Sequence, residues 1–227
     1  MPEIAPRAEL MRSLGRLVRG LSAIFWGLPL ALVVCVYVAT SDWVKPMYMV
    51  GPAITTGLLF YGLSLLGSFQ RQERIWRDSL ERTKLIALVN IGLSPFLYWH
   101  NRLPGLPFYD IAVYFNMGMG LLFLFTLNHL LQRLAAMLPD ETLRLETQVF
   151  GNLNISLLSA IIFLFLFLYV IQVIPHRPAI VDQAIRVIAL FRFWILVFLF
   201  LLPLAMTMTL IWKIKEVIFA SVFSHDN

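Results

Sequence analysis

The feature that most constrains this chain is the spacing of its charged residues. Six stretches contain no Asp, Glu, Lys or Arg over a length close to that needed to cross a bilayer. A charge at the bilayer centre costs about 2.5 to 3.5 kcal/mol on insertion scales, so such stretches are typical of membrane-spanning helices. The sequence therefore predicts six transmembrane helices, over residues 20–41, 46–69, 85–101, 111–132, 149–174 and 193–213.

The composition agrees with this interpretation. Hydrophobic residues make up 59% of the 227 residues and charged residues 14%, against about 45 to 50% and about 25% in soluble globular domains. Such a composition argues against both a water-soluble fold and a disordered chain. We predict an all-α membrane protein, a six-transmembrane-helix bundle with short loops, that forms a single integral membrane domain over residues 1–227.

The basic residues predict an orientation. If the N-terminus faces the cytoplasm, thirteen of the 18 Lys and Arg residues lie on the cytoplasmic side of the six spans. Cytoplasmic loops carry an excess of Lys and Arg, so both termini are expected in the cytoplasm. The predicted location is the cell inner membrane. Because the positive charges lie at the ends of the spans, they do not indicate binding to nucleic acid.

The segment 71–84, between the second and third spans, is strongly charged. Glu73 and Arg77 are four residues apart, as are Asp78 and Arg82, and this spacing stabilises an exposed helix. We expect this segment to project into the cytoplasm, with Trp76 at the level of the lipid headgroups.

Similar short segments indicate a weak internal repeat. The Gly-Leu-Leu-Phe motif that begins at Gly57 recurs at Gly120, and the Asn-Ile pair at Asn90 recurs at Asn154. A duplicated hairpin, with spans two and three equivalent to spans four and five, would explain this order, as in transporters built from parallel repeats. Chance alignment of leucine-rich helices is the alternative.

Polar residues inside the predicted spans are the candidate functional residues, because a polar group in lipid needs a partner. Counting 1.5 Å per residue places several of them at one depth in the inner leaflet. Such a cluster is a candidate headgroup, ion or proton site lined by Asn90, His129 and Asn154. The alternative is hydrogen bonding between helices, worth about 0.6 kcal/mol per contact. The members of the predicted cluster are Asn90, Asn128, His129, Asn152, Asn154, Ser64 and Ser68.

Cofactor and metal sites find little support in the sequence. Two histidines that hold one haem must lie at one depth, and only His100 and His176, both near the outer surface, come close. The same two residues with Asp110 form a conceivable metal site, but their spacing matches no known ligand pattern. The single Cys35 has no partner for a disulfide or a thiolate metal site. We assign no catalytic, cofactor-binding or metal-binding residue, and the cofactor stays unknown.

Three functions remain open. The chain lacks nucleotide-binding, zinc-protease and serine-hydrolase motifs, which favours a non-enzymatic membrane subunit or scaffold that packs against partner membrane proteins, lipid or pigment. A small transporter or lipid-handling protein would use the inner-leaflet cluster, although no span contains the carboxylate typical of proton-driven carriers. A haem- or quinone-binding redox subunit is the third. The expected partners are membrane lipids and other membrane proteins or further copies of the chain.

Overall fold

The structure of the protein is a computed structural model that describes residues 4–41, 49–69, 73–138, 141–173 and 200–220. Over these ranges the chain forms six α-helices and no β-strand. The all-α class and the helical bundle predicted from the sequence are therefore confirmed. The helices are α1 (Ile4–Thr40), α2 (Val50–Leu66), α3 (Arg74–Arg102), α4 (Pro107–Ala136), α5 (Glu141–Val173) and α6 (200–220).

A short turn rich in proline and glycine joins α3 to α4. The backbone N–H of Leu103 donates to Trp99 O at 2.9 Å and closes the last turn of α3. Gly105 follows with a φ of 93°, a left-handed conformation that a side chain would strain. Pro107 then begins α4, where its missing N–H costs no helical hydrogen bond. This turn makes α3 and α4 antiparallel neighbours.

Two glycines bring α1 and α2 into close contact. A Cβ atom on Gly20 would lie 2.7 Å from the carbonyl oxygen of Gly62, and a Cβ atom on Gly62 would lie 2.9 Å from that of Gly20. Neither position has room for a side chain, because the obstructing atoms include a backbone oxygen of the opposite helix, which cannot move aside as a side chain can. Small residues that let backbones approach in this way are typical of helix contacts in membranes.

The last helix closes the bundle against both α5 and α1. Lys213 of α6 forms an ion pair with Glu146 near the start of α5. On its other side, the Trp212 ring lies 6.1 Å from the ring of Phe25 in α1. Successive helices run antiparallel. The first residues of α1, α3 and α5 therefore lie at the same end of the bundle as the last residues of α2, α4 and α6.

The interior of the bundle is packed with aliphatic side chains, and its outer surface is also largely apolar. Two of the described helices, α1 over Arg12–Thr40 and α4 over Pro107–Ala136, are long and apolar enough to cross a membrane. The apolar helix α2 has 17 residues and spans about 26 Å, short of the roughly 30 Å of a hydrocarbon core. Six membrane crossings therefore stay a prediction. Fully buried core residues include Leu17, Leu21, Ile24, Leu63, Leu127, Leu130, Leu158 and Ile211.

Several predicted spans coincide with only part of a helix. The predicted span 20–41 lies inside α1, which begins at Ile4, and the predicted span 85–101 lies inside α3. The predicted span 46–69 extends too far, because α2 ends at Leu66 and a turn follows. In the predicted span 193–213, residues 193–199 lie outside the described residues, and α6 continues to residue 220. Charged residues limit the part of a helix that can enter lipid, but they do not end the helix.

The charged segment 71–84 differs from its prediction in two details. Its described part, from residue 73, is the beginning of α3 and carries an ion pair between Arg77 and Glu81, at 3.8 Å, in place of the predicted Glu73 to Arg77 pair. Trp76 is 1% exposed and packs edge-on against Phe69, with ring centroids 6.5 Å apart. The side chain of Trp76 thus points into the bundle and not toward lipid, while its predicted depth at the level of the headgroups stays a prediction.

The predicted hairpin repeat stays a prediction. The α2–α3 and α4–α5 pairs are both antiparallel, and the supposedly equivalent Asn90 and Asn154 are both buried. However, α2 has 17 residues and α4 has 30, so the first helices of the two hairpins differ in length.

Candidate functional site

A buried polar cluster joins α4, α5 and α6 in the middle of the apolar core. It consists of Asn128, Asn154 and Thr207, each 0% exposed, together with the carbonyl oxygen of Pro203. Leu127, Leu130 and Leu158, which flank these positions along α4 and α5, are also 0% exposed, so the cluster lies at the packed centre of the bundle. We call these four residues, Asn128, Asn154, Pro203 and Thr207, the asparagine–threonine cluster.

Hydrogen bonds connect all three helices within the asparagine–threonine cluster. The Asn154 Nδ2 group donates to Asn128 Oδ1 at 2.9 Å and also lies 3.0 Å from Thr207 Oγ1 and 3.2 Å from Pro203 O. The Asn128 Nδ2 group donates to Thr207 Oγ1 at 2.8 Å and, within its own helix, to Leu124 O at 2.8 Å. Asn154 therefore contacts both neighbouring helices at once.

Thr207 completes the cluster and was not among the residues predicted from the sequence. Its hydroxyl donates to the carbonyl oxygen of Pro203, one turn earlier in α6, at 2.7 Å. Threonine commonly makes this bond back to its own helix. The hydroxyl oxygen then accepts from the amides of Asn128 and Asn154, so one side chain serves three polar partners. The sequence carries no specific signal for Thr207, because Thr56 follows Pro52 at the same spacing in another apolar stretch and makes the same bond within its own helix.

Asn90 lies in a different place from the asparagine–threonine cluster. Its Nδ2 group donates to Met119 O in α4 at 3.3 Å and to Ile86 O in its own helix at 3.2 Å. The residue is 8% exposed. Asn90 therefore links α3 to α4 by a hydrogen bond. This contact is separate from the bonds by which Asn154 links α5 to α4 and α6.

The remaining four predicted residues are not part of the buried cluster. His129 is exposed on α4. Asn152 is exposed on α5, where its Oδ1 atom accepts from Gln132 Nε2 at 3.0 Å. The hydroxyls of Ser64 and Ser68 donate to carbonyl oxygens of their own helix or its final turn. The structure therefore does not bring Asn90, His129 and Asn154 together, because the three side chains occupy three different environments.

The histidines do not form a metal or haem site among the described residues. His100 Nδ1 lies 2.9 Å from Asp110 Oδ1 across the α3–α4 turn. His129 lies about 28 Å further along α4 than Asp110, at 1.5 Å per residue, so His100 and His129 cannot hold one haem between them. His176 lies outside the described residues, and the part of the chain that is described contains no group of three His, Cys, Asp or Glu side chains able to hold a metal ion.

A cavity of about 230 Å³ lies at the α2–α3 turn, and no residue predicted as a site lines it, although Ser68 lies between two lining residues, Gly67 and Phe69. Phe69, Trp76 and Leu80 give it an apolar floor, and Arg77, Glu81 and Lys84 supply its charges. Its volume is below the range of about 300 to 1,000 Å³ of pockets for drug-sized ligands. The cavity is therefore suited to a small group. We call it the α2–α3 cavity.

The two sites differ in what they can do chemically. Amides and a hydroxyl do not titrate near neutral pH, so the asparagine–threonine cluster has no group that can exchange a proton. Asn154 Oδ1 is the only side-chain polar atom of the cluster without a hydrogen-bond partner among the described residues. The cluster can therefore hold helices together, whereas the α2–α3 cavity can hold a ligand. Comparisons with known protein families, curated proteins and solved structures find no match to this chain.

Proposed function

We propose that this chain is a non-enzymatic integral membrane subunit, a six-helix bundle that packs against lipid and against partner membrane proteins or further copies of itself. The observation that carries the proposal is the apolar outer surface of the bundle. Trp26, Ile111, Tyr114 and Phe163 are each at least 67% exposed, on three different helices. Soluble monomers rarely expose contiguous apolar patches larger than a few hundred Å², whereas lipid favours such a surface.

The asparagine–threonine cluster supports a structural role. Where no water is present, polar side chains in neighbouring helices bind one another, and such contacts hold membrane bundles together. The cluster is buried, its members bind each other, and none of them titrates. A transporter would need a path to a polar site, and Asn90, His129 and Asn154 do not form one.

The distribution of charge supports the proposed orientation. Arg12, Arg16 and Arg19 lie near the start of α1, and Lys213 and Lys215 lie near the end of α6. These positions belong to the same end of the bundle as the α2–α3 turn. Because positively charged segments stay in the cytoplasm, we propose that this end and both termini are cytoplasmic, in the cell inner membrane.

A cysteine-labelling experiment tests the membrane setting and the orientation together. In a Cys35→Ser background, Arg74→Cys at the start of α3 and Leu106→Cys in the α3–α4 turn place one thiol at each end of the bundle. A maleimide that cannot cross membranes should label Leu106→Cys in intact spheroplasts and Arg74→Cys only after permeabilisation. Equal labelling of both variants in intact spheroplasts contradicts the proposed topology.

A separate experiment tests whether the protein is a subunit of a larger assembly. After extraction in a mild detergent, the protein should migrate as a complex larger than a single 26.1 kDa chain with its micelle. Light scattering with refractive-index detection separates the protein mass from the detergent mass. An isolated monomer that retains full thermal stability would count against a subunit, while leaving the membrane setting intact.

A further inference from the structure

The α2–α3 cavity combines features that no structural role explains. Gly67 ends α2 beside it, and a Cβ atom at this position would lie 3.2 Å from Lys84 Nζ and 3.5 Å from Leu80 Cδ2. The Lys84 ammonium group therefore packs against the bare backbone at Gly67, where a side chain would crowd it. A positive charge held at the edge of a cavity is a suitable partner for an anionic group.

The charges of the cavity are unbalanced. Arg77 pairs with Glu81 at 3.8 Å, in a surface contact with both side chains more than half exposed. Lys84, which is half-buried, takes part in none of the ion pairs found among the described residues. The lining therefore carries one positive charge in excess, and this charge is on Lys84, which packs against Gly67.

Trp76 supplies an independent indication of a ligand. Its side chain is 1% exposed and lines the cavity, and its Nε1–H group has no acceptor within the described residues. Buried indole N–H groups usually find a hydrogen-bond partner, and leaving a buried donor unpaired costs about 1 to 3 kcal/mol. A ligand with acceptor oxygens would satisfy this donor.

We propose that the α2–α3 cavity binds the phosphate group of an anionic phospholipid. The phosphate oxygens would accept from Lys84 Nζ and Trp76 Nε1, and the first carbons of the lipid would lie on the floor formed by Phe69 and Leu80. Phosphate is the anion that lipid headgroups offer, and Lys is a common point-charge partner for it. The choice of a lipid over a soluble phosphate ester rests on the proposed membrane setting, because the cavity then lies at the cytoplasmic end of the bundle.

Lipid binding to the detergent-solubilised full chain tests the proposal. Native mass spectrometry would measure the occupancy of phosphatidylglycerol and of zwitterionic phosphatidylcholine on the same protein. We expect phosphatidylglycerol to bind more tightly, and Lys84→Gln to weaken it about tenfold, the loss that corresponds to about 1.4 kcal/mol. Arg82→Gln is the matched control, because it removes the same charge from the same helix outside the cavity. It should leave the affinity within twofold.

Two further variants keep the result interpretable. Trp76→Phe removes the N–H donor and keeps most of the ring, so it should also weaken the binding of phosphatidylglycerol. Gly67→Leu places a bulky side chain against Lys84 Nζ and should have the same effect. Equal losses for Lys84→Gln and Arg82→Gln would overturn the proposal, because they would show attraction to surface charge alone. Equal binding of the two lipids would overturn it as well.

Inorganic phosphate distinguishes the two sources of the anion. If inorganic phosphate at about 10-fold the lipid concentration fails to displace phosphatidylglycerol, contacts with the apolar floor contribute to binding and the ligand is a lipid. If phosphate displaces the lipid and also binds alone with sensitivity to Lys84→Gln, the cavity is a site for soluble phosphate and the lipid assignment is wrong. Neither result depends on the labelling pattern, so the cavity and the proposed topology can fail separately.

Discussion

Asn128, Asn154 and Thr207 bury amide and hydroxyl groups among leucine side chains. An unpaired polar group in such a position costs about 1 to 3 kcal/mol, so each member of the cluster is stable only while its partners are present. Asn154 makes the largest number of hydrogen bonds to other helices, because all three bonds of its Nδ2 group go to atoms of α4 and α6. It is the residue whose loss should affect the bundle most.

Replacing Asn154 by Ala should lower the free energy of unfolding by about 1 to 3 kcal/mol, because Asn128 Oδ1 loses its donor and a small gap opens in the core. Equilibrium unfolding of the purified protein in mixed detergent micelles measures this change. Asn152→Ala is the matched control, two residues away on the exposed face of the same helix, and should change the free energy by less than about 0.5 kcal/mol. Equal effects of the two substitutions would contradict the role of the cluster.

Counting residues along the spans placed Asn128 and Asn154 together but did not give the direction of the other side chains. Asn90 bonds to Met119, which lies about 13 Å from Asn128 along α4. Neighbouring residues of a helix lie at similar depth but can point to opposite sides, because each successive residue is rotated by about 100° about the helix axis. His129 follows Asn128 directly and therefore points away from the core. Asn152 precedes Asn154 by two residues and faces the outer surface for the same reason. Thr207 could not be chosen from the sequence without knowing that α6 lies between α5 and α1.

At the scale of helices, the contact between α1 and α2 depends on glycine. Gly20 and Gly62 face one another with no space for a Cβ atom. Gly57, also on α2, has no such constraint, because nothing lies within 4 Å of the position that a Cβ atom would take there. Glycine lowers helix stability by about 0.8 to 1.0 kcal/mol relative to alanine. The two positions on α2 should therefore respond to alanine in opposite directions.

Gly62→Ala should destabilise the bundle by about 1 to 3 kcal/mol, because its Cβ atom would lie 2.7 Å from Ile24 Cγ1 and 2.9 Å from Gly20 O. Gly57→Ala should be neutral or stabilise the protein by up to about 1 kcal/mol. Thermal unfolding in detergent, followed by far-ultraviolet circular dichroism, compares the two variants. A Gly62→Ala protein as stable as Gly57→Ala would show that α1 and α2 are not in close contact.

The charge pattern located the helices well and their ends poorly. Each predicted span overlaps one helix, because a charge-free apolar stretch of this length has few other ways to satisfy its backbone. The first turns of α3 contain Arg74, Arg77 and Glu81, which are good helix formers and do not interrupt it. The helix therefore begins well before the predicted span, in the charged segment 71–84 whose i,i+4 spacing indicates a helix, and the α2–α3 cavity lies beside this part of α3.

At the scale of the whole molecule, apolar side chains occupy both the interior and the outer surface. Leu127 and Ile161 are fully buried, whereas Phe163 is 69% exposed although it is only two residues beyond Ile161 on α5. A chain that folds in water would place polar residues on the outer face of α5, where Phe163 lies. The difference gives a test that separates a membrane setting from an aqueous one.

Phe163→Lys should reduce the amount of protein that remains in the membrane after urea extraction, because a charge at the middle of a span costs about 2.5 to 3.5 kcal/mol. Leu145→Lys is the control on the same helix. Leu145 is 62% exposed but precedes the predicted span 149–174, so its substitution should have little effect. In a water-soluble protein both substitutions would be harmless or would improve solubility, and that outcome would contradict the membrane assignment.

The position of Thr207 in the chain has a consequence for biosynthesis. Asn128 and Asn154 leave the ribosome long before residue 207 does, since translation runs from the N-terminus at about 5 to 20 residues per second. Before α6 is made, Asn128 Nδ2 can reach Leu124 O and Asn154 Nδ2 can reach Asn128 Oδ1, but Pro203 O and Thr207 Oγ1 are not yet present. The packing of α4 against α5 is therefore completed only after residues 203–207 have been synthesised.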